Sequence, residues 1–306
     1  MQLAWPPALG RGQTGNKSRD AAQSDGPDQL FTACGAAGVQ MPRSAITLIT
    51  DFGLADGHVG AMKGVMRAIA PYAELVDVSH HIPPQDIRHG AFVLLTSYPF
   101  WSPDTVHLVV VDPGVGTERR AVAVQTVQGT FVAPDNGVLS HVLANEVVTT
   151  AVALTDPQYW HHPVSPVFHG RDIFGPAAAH LASGAVLSDL GAPLDGSDLV
   201  TFSVPVPQYH SDGHITAHVQ HIDRFGNCTT DVPGDALQAS AAWQVQVRAQ
   251  AIGGIRRTFA EVPAGSPLAF LDSTGFVAIA ICNGRAARQM SLDIGDQIAL
   301  WPSPGR

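Results

Sequence analysis

From Ile46 to Gly184, short apolar runs alternate with segments in which apolar residues recur every three or four positions. The apolar runs predict buried strands at 45–50, 74–78, 105–111, 120–126, 130–133 and 148–153. The other segments predict amphipathic helices at about 58–70, 85–98, 137–144 and 172–184. Strands that alternate with helices assemble into a largely parallel sheet with helices on both faces. The pattern therefore predicts an N-terminal α/β sandwich over 45–190.

A segment rich in proline, glycine and aspartate follows over 191–207, and its composition predicts a linker. Beyond it the apolar positions recur every second residue, which is the period of a half-buried strand. Turn residues separate the clearest of these runs, at 214–219, 243–247, 267–270 and 276–281. No helix-length segment lies between them, so 208–306 is predicted to form a small C-terminal antiparallel β-barrel.

The stretch over 1–44 has no apolar periodicity and is rich in glycine, glutamine, serine, aspartate and proline. Such a segment buries too little apolar surface to offset the entropy lost when it becomes ordered. We therefore expect a disordered extension there. Met41 stands immediately before the first predicted strand, and we hypothesise that it is the natural start. An intact-mass measurement of protein expressed from its native gene tests this hypothesis.

Composition narrows the class of protein. Of the 306 residues, 45% are hydrophobic and 14% are charged, which is typical of a globular protein. The net charge of -9, with basic residues scattered, argues against binding along nucleic acid phosphates. No apolar run reaches the roughly 18 residues of a membrane span and no signal-peptide pattern is present, so we expect a cytoplasmic protein with no membrane partner. Cys34, Cys228 and Cys282 are far apart and odd in number, which favours reduced thiols.

Polar side chains lie in three loops at the edge where open α/β sheets bind ligands. Asp51 follows the first strand, Asp112 and Arg119 follow the third, and His169 lies in a later loop. Each also has an ordinary structural interpretation, since Asp51 fits a helix cap and Asp112, followed by Pro113, fits a tight turn. Arg119 and His169 alone would be surface loop residues. Together the three loops offer two carboxylates, a guanidinium and an imidazole to one crevice.

A metal site is an alternative interpretation of the same region. His80, His81 and Asp86 follow the second strand and, with Asp112 and His169, could supply nitrogen and oxygen ligands for zinc or manganese. Their spacing matches no diagnostic metal-binding motif. We therefore expect no metal.

Five motifs occur along the chain in this order: Thr50-Asp51-Phe52-Gly53, Asp112-Pro113-Gly114-Val115-Gly116 with Arg119-Arg120, Ala133-Pro134-Asp135-Asn136-Gly137, Phe168-His169-Gly170-Arg171-Asp172-Ile173-Phe174 and Asp223-Arg224-Phe225-Gly226-Asn227. Together they resemble the S-adenosylmethionine hydroxide adenosyltransferases, relatives of the fluorinase and chlorinase. The similarity covers essentially 45–300. It implies an N-terminal α/β sandwich joined to a C-terminal β-barrel. It also implies a homotrimer in which the substrate lies between the N-domain of one subunit and the C-domain of its neighbour.

The resemblance implies a role for each matching position. The residues that would hold the attacking water are Asp112, Arg119 and His169. The implied substrate contacts are Asp51 to the ribose hydroxyls, Asp223 and Ser273 to the amino acid head, Asn227 to the adenine edge, and Phe225 and Phe259 to the adenine ring. Without the resemblance, the two phenylalanines would be ordinary core residues and Ser273 part of a hairpin turn.

We therefore expect in-line attack of an activated water on ribose C5′ of S-adenosyl-L-methionine, with no cofactor. The sulfonium leaves as a neutral thioether, so no general acid is required. Asp112 disfavours a halide nucleophile, because two like charges about 4 Å apart cost about 4 kcal/mol at an effective dielectric of about 20. Either Asp112 or His169 could take the proton. The alternatives are an S-adenosylmethionine-dependent halogenase, a non-catalytic adenosine or S-adenosylmethionine binding module, and a metal-dependent hydrolase.

Overall fold

A computed structural model describes residues 44–237 and 242–303. The predicted extension, including Cys34 and Met41, lies outside the described residues apart from Ser44. The first half contains β1 (Ala45–Thr50), α1 (His58–Ile69), β2 (Glu74–Ser79), α2 (Ile87–Leu95), β3 (Val106–Val110), β4 (Ala121–Thr126), β5 (Gly129–Pro134), α3 (Ser140–Asn145), β6 (Thr150–Leu154), α4 (Gly175–Ala182) and β7 (Gly191–Pro193). The second half contains β8 (Gln208–Tyr209), β9 (Ile215–Ile222), β10 (Cys228–Pro233), β11 (Ala242–Val247), β12 (Gln250–Gly253), β13 (Ile255–Arg256), β14 (Pro267–Leu271), β15 (Phe276–Ile281), α5 (Ala286–Gln289) and β16 (Gln297–Ser303).

The first sheet has seven strands in the order β2-β1-β3-β5-β4-β6-β7. The neighbouring strands β2, β1, β3 and β5 pair in parallel, whereas β4, β6 and β7 are added by antiparallel pairings. Every residue of β3 is buried, as expected for a central strand that is covered on both faces. The α/β sandwich is thus confirmed, with its parallel part at the β1 and β3 end.

Each face of this sheet is covered by helices. Ile46 and Leu48 pack with α1 and α4 on one face, while Ile49 and Val109 pack with α2 on the other. The alternation within β1 follows from the opposite directions of successive side chains in a strand. These buried layers hold the sheet from both sides. Because β1 and β3 run parallel, the loops that follow them emerge at the same edge of the sheet.

The second sheet has the strand order β12-β11-β16-β9-β10-β15-β14-β13, with β8 paired to β9. All pairings are antiparallel except that between β13 and β14. The sheet curls so that β12 approaches β14 and β11 approaches β13, and it encloses a core that includes Val219, Val245 and Ile279. This nearly closed barrel confirms the predicted C-terminal architecture.

Several element boundaries differ from the sequence prediction. The predicted linker begins with β7, which pairs with β6, and the helix predicted at 172–184 is a π-helical turn over Gly170–Phe174 followed by α4. Strands β10 and β16 were not predicted, although β10 is buried along most of its length. Within the described part of the chain, no helix is both long and apolar enough to cross a membrane.

Candidate active site

The loops after β1 and β3 leave the sheet side by side. Thr50 pairs with Val110 in the parallel register of these strands, so Asp51 and Asp112 follow neighbouring strands at the same edge. The loop that carries His169 reaches this edge from further along the chain. It packs closely on the β3 loop, since a Cβ at Gly116 would lie 2.6 Å from the Pro166 carbonyl oxygen.

Asp112, Arg119 and His169 are in direct contact. Arg119 Nε donates to both carboxylate oxygens of Asp112, at 2.8 and 3.0 Å, and Arg119 Nη2 donates to Asp112 Oδ2. The same Nη2 lies 3.0 Å from His169 Nδ1. The Asp112 and Arg119 side chains are only 6% and 10% exposed. The structure therefore brings the three predicted residues into one hydrogen-bonded group.

The arginine fixes the tautomer of the histidine. Arginine has hydrogen-bond donors only, so His169 Nδ1 must accept and the proton of the neutral ring lies on Nε2. Burial lowers the pKa of His169, and the neighbouring Arg119 charge lowers it further, against smaller opposing effects of Asp112 and Asp172. His169 is accordingly neutral at neutral pH and presents an Nε2–H donor.

An ion pair between the partly exposed Arg171 and the buried Asp172 holds the His169 loop in place. Asp172 accepts hydrogen bonds from the Ser165 backbone at 2.8 Å and from Arg171 Nε at 2.6 Å. Burial alone would raise the pKa of Asp172, but these hydrogen bonds and the charges of Arg171 and His161 together outweigh burial and lower it. Gly170 allows the Phe52 ring to approach the backbone, because a Cβ at this position would lie 2.9 Å from Phe52 Cζ. The position of His169 thus depends on groups from both loops.

Asp51 lies beside this group. Its Oδ2 accepts from the Gln85 backbone N–H at 2.8 Å, and the side chain is half-buried. The adjacent Phe52 ring packs edge-on against Phe168, with ring centroids 5.8 Å apart. The contact between Phe52, which follows Asp51, and Phe168, which precedes His169, therefore links the two loops.

The predicted residues of the second half line a separate cavity. It has a volume of about 760 Å³, and the predicted residues in its wall are Asp223, Phe225, Asn227, Phe259 and Ser273. Its wall also includes Thr229, Asp272, Asn283 and Arg285, and every lining residue belongs to the second half of the chain. Phe225 is 73% exposed and Phe259 is 39% exposed, so both rings present faces that a ligand could cover.

Two aspartates organise the polar wall of the cavity. Asp223 Oδ1 accepts from the Asn227 backbone and Oδ2 from the Asn227 side-chain amide, both at 2.8 Å. Asp272 accepts from Thr229 Oγ1 at 2.9 Å and from the Thr274 backbone at 2.9 Å. Sequence reasoning missed Asp272, although its place beside Ser273 in an Asp-Ser-Thr-Gly turn was the available signal.

The candidate metal ligands have other partners. His80 Nδ1 lies 2.8 Å from Thr50 Oγ1, Asp86 caps α2 by accepting from the His89 backbone, and Asp112 is paired with arginine. Across residues 44–237 and 242–303, no three histidine, cysteine, aspartate or glutamate side chains are grouped so that they could hold a metal ion.

Comparison with known proteins gives matches over both halves. The model of the SAM hydroxide adenosyltransferase N-terminal domain matches residues 46–191, and that of the C-terminal domain matches residues 217–299. A Salinispora arenicola protein named (R)-S-adenosyl-L-methionine hydrolase is 42% identical over 83% of this chain and 97% of its own length. A fluorinase from Actinoplanes is 29% identical over 77% of this chain and 90% of its own. The crystal structure of an uncharacterized conserved protein from Thermotoga maritima, 34% identical, superposes with a TM-score of 0.78 over 84% of this chain and 99% of its own.

Proposed function

This chain belongs to the SAM hydroxide adenosyltransferase family, and we infer from that membership that it is an enzyme that hydrolyses S-adenosyl-L-methionine to adenosine and L-methionine. The hydrogen-bonded group of Asp112, Arg119 and His169 is the observation that supports this reaction best. The other candidate, a halogenase, has weaker support because the fluorinase match is the more distant one.

The reaction requires little more than a well-placed nucleophile. A water oxygen forms a bond to ribose C5′ while the C5′–S bond breaks, and the electron pair of that bond goes to sulfur. The sulfonium becomes the neutral thioether of methionine, so the leaving group needs no proton. Holding the two reacting atoms in line replaces a bimolecular encounter and supplies much of the rate enhancement in such reactions.

The contacts within the triad suggest a division of labour. His169 Nδ1 already accepts from Arg119, so its Nε2–H orients the water by donating to the water oxygen. The Asp112 oxygens, each already bonded to Arg119, have further lone pairs that can accept the water proton as attack proceeds. Arg119 holds both Asp112 and His169 and stabilises the negative charge that develops on the water oxygen as the proton leaves. We assign proton acceptance to Asp112 on this basis, and general base assistance of this kind is worth about 10² to 10⁴ in rate.

The same arrangement favours water over a halide ion. Asp112 can relieve its charge by taking a proton from water, whereas a halide brings no proton and only the repulsion of a second anion. At about 4 Å and an effective dielectric of about 20 this repulsion is about 4 kcal/mol. The Arg119 charge lies beside the Asp112 carboxylate, and its donors bond Asp112 and His169. Its attraction for a halide is therefore offset by Asp112.

Substrate binding requires both halves of the chain. Asp51 would accept the ribose hydroxyls, and the cavity of the second half would hold the rest of the substrate. The proposed contacts are Asp223 and Ser273 with the amino acid head, Asn227 with the adenine edge, and Phe225 and Phe259 with the adenine ring. The triad does not line that cavity, so we propose a homotrimer in which the N-terminal half of one subunit and the cavity of its neighbour form each site.

The relatives' name points to the configuration at sulfur. A sulfonium with three different substituents is a stereocentre, and the Salinispora relative is named for the (R) form. We propose that this chain also acts on the (R) diastereomer. An in-line site is sensitive to this configuration because the methyl and 3-amino-3-carboxypropyl groups exchange places around the leaving sulfur.

A chromatographic assay tests the proposal. The full chain is incubated with each diastereomer separately, with and without EDTA and chloride, beside an Asp112→Asn variant. We expect adenosine and methionine from the (R) form, at a rate that EDTA and chloride leave unchanged, and a rate at least about 10²-fold lower in the variant. Binding without turnover would instead indicate a binding module, a 5′-halo product a halogenase, and loss of activity in EDTA a metal-dependent hydrolase.

A further inference from the structure

The motif Ala133-Pro134-Asp135-Asn136-Gly137 has no role in the proposed chemistry, yet it lies against the loop that carries Asp112 and Arg119. These two residues are seven positions apart, and their side chains meet in a two-pronged contact whose geometry is demanding. The loop between them includes Gly116 at a φ of 79°. Its two ends must therefore be fixed from outside.

Asn136 holds the end at which the loop begins. The main-chain pairing of β3 with β5 ends at Leu108 and Val132, and that of β3 with β1 ends at Val110, so neither ladder reaches Val111. The Asn136 side-chain amide takes its place by donating to the Val111 carbonyl oxygen at 2.8 Å. The opposite end of the amide is also occupied, because its Oδ1 accepts from the Val138 backbone.

Asp135 holds the end at which the loop returns to β4. Its backbone N–H donates to the Arg120 carbonyl at 2.9 Å, and its Oδ2 accepts from Arg120 Nε at 2.7 Å. The Asp135 side chain is 3% exposed, although the Arg120 side chain is 36% exposed, so the carboxylate of this pair is protected from water. Its Oδ1 accepts from the Val200 backbone at 2.8 Å, which ties the segment leading to the second half to the same carboxylate.

We propose that Asp135 and Asn136 are positioning residues, which hold Val111 and Arg120 so that the Arg119 guanidinium meets the Asp112 carboxylate. The inference rests on the proposed function, since it concerns the triad of that reaction. Two adjacent residues restrain both ends of one loop, and the side-chain hydrogen bonds of both go to groups other than the triad side chains. Loss of either contact should displace the reacting groups without removing any of them.

The test replaces one amide and uses a matched control. Asn136→Ala removes the amide that bonds the Val111 carbonyl. Asn145→Ala removes an equally half-buried amide that bonds the His141 carbonyl at 2.7 Å, in α3. We expect Asn136→Ala to lower kcat about 10- to 100-fold with KM within about twofold. Asn145→Ala should keep both constants near those of the wild type.

A second pair of variants guards against a folding defect in Asn136→Ala. Arg120→Lys keeps the charge but loses the Nε donor to Asp135. Its control, Arg67→Lys, alters an arginine that bonds the Pro71 and Ala73 carbonyls at a distant turn. We expect a fall in kcat of about tenfold for Arg120→Lys and none for Arg67→Lys.

The outcomes separate the inference from the proposed function. If the wild type turns over and the Asn136 and Arg120 variants match their controls, the positioning role is wrong. A rise in KM at unchanged kcat would also overturn it, because positioning of the triad acts on the chemical step. If the wild type does not turn over S-adenosylmethionine, the proposed function fails instead.

Discussion

Replacing Arg119 by methionine should reduce stability and activity together. Methionine keeps an unbranched apolar stem beside the Phe174 ring, over which the guanidinium now lies at 4.9 Å. It removes every donor to Asp112 and the donor to His169 Nδ1. The Asp112 carboxylate, 6% exposed, would then be an unpaired charge in the interior.

The structure sets the size of the effect. Breaking a buried ion pair by removing one partner costs about 3–5 kcal/mol, so we expect the free energy of unfolding at neutral pH to fall by about that amount. Turnover should fall at least about 10²-fold, since the variant loses both the stabilising charge and the anchor of His169.

Urea denaturation at a fixed protein concentration and neutral pH measures the stability difference, and the adenosine assay measures turnover. Arg248→Met is the matched control, because the Arg248 and Asp296 side chains are 55% and 34% exposed and such pairs contribute about 0–1 kcal/mol. The double variant Asp112→Asn with Arg119→Met should recover stability but not activity. Wild-type stability and turnover in Arg119→Met would refute the reasoning.

Three further predictions concern individual residues. The pKa of His169 is lowered, chiefly by burial and then by Arg119, and the proposed role needs the neutral ring. We therefore expect kcat/KM, measured against pH, to fall only below the ordinary histidine pKa. A fall that begins above that pKa would contradict a neutral His169. Gly170→Ser should lower stability by about 1–3 kcal/mol, since the new side chain meets Phe52, and should confer no chloride-dependent product. Asp223→Asn should raise KM about tenfold or more with a smaller change in kcat, because an amide replaces the carboxylate to which Asn227 donates. Initial-rate measurements check this, and an unchanged KM would show that Asp223 is not part of the substrate site.

The layered first half could be predicted because its signals are apolar and regular. Buried strands such as β1 and β3 are mostly apolar, interrupted only by threonine or histidine, and the rule that ligands bind beyond the ends of parallel strands then singled out Asp51 and Asp112. The π-helical turn and the Asp172 ion pair that place His169 gave no such signal. Asp172 is bonded to Arg171 and to the Ser165 backbone, which are near it in the sequence, but such polar contacts leave no apolar period to read.

Strand β10 shows why one strand of the second half was missed although the barrel was predicted. Thr229, Thr230 and Asp231 are polar but buried, because each has a partner that satisfies it. Thr230 Oγ1 donates to the Val277 carbonyl at 2.7 Å, and Asp231 accepts from the His218 backbone at 2.8 Å. A strand whose polar groups find partners only in the folded barrel has no apolar period in its sequence. The cavity shaped by this strand was correspondingly harder to predict than the triad.

Hydrolysis of (R)-S-adenosylmethionine in ¹⁸O-labelled water tests the central claim most directly, since it shows which carbon the water attacks. Mass spectrometry should find one ¹⁸O atom in adenosine, at O5′, and none in methionine, and labelled adenosine should form at least about 10²-fold more slowly in the Asp112→Asn variant. Labelled homoserine with methylthioadenosine, or labelled methanol with S-adenosylhomocysteine, would place the attack on another carbon of the sulfonium. Either result would contradict a triad that directs water to ribose C5′.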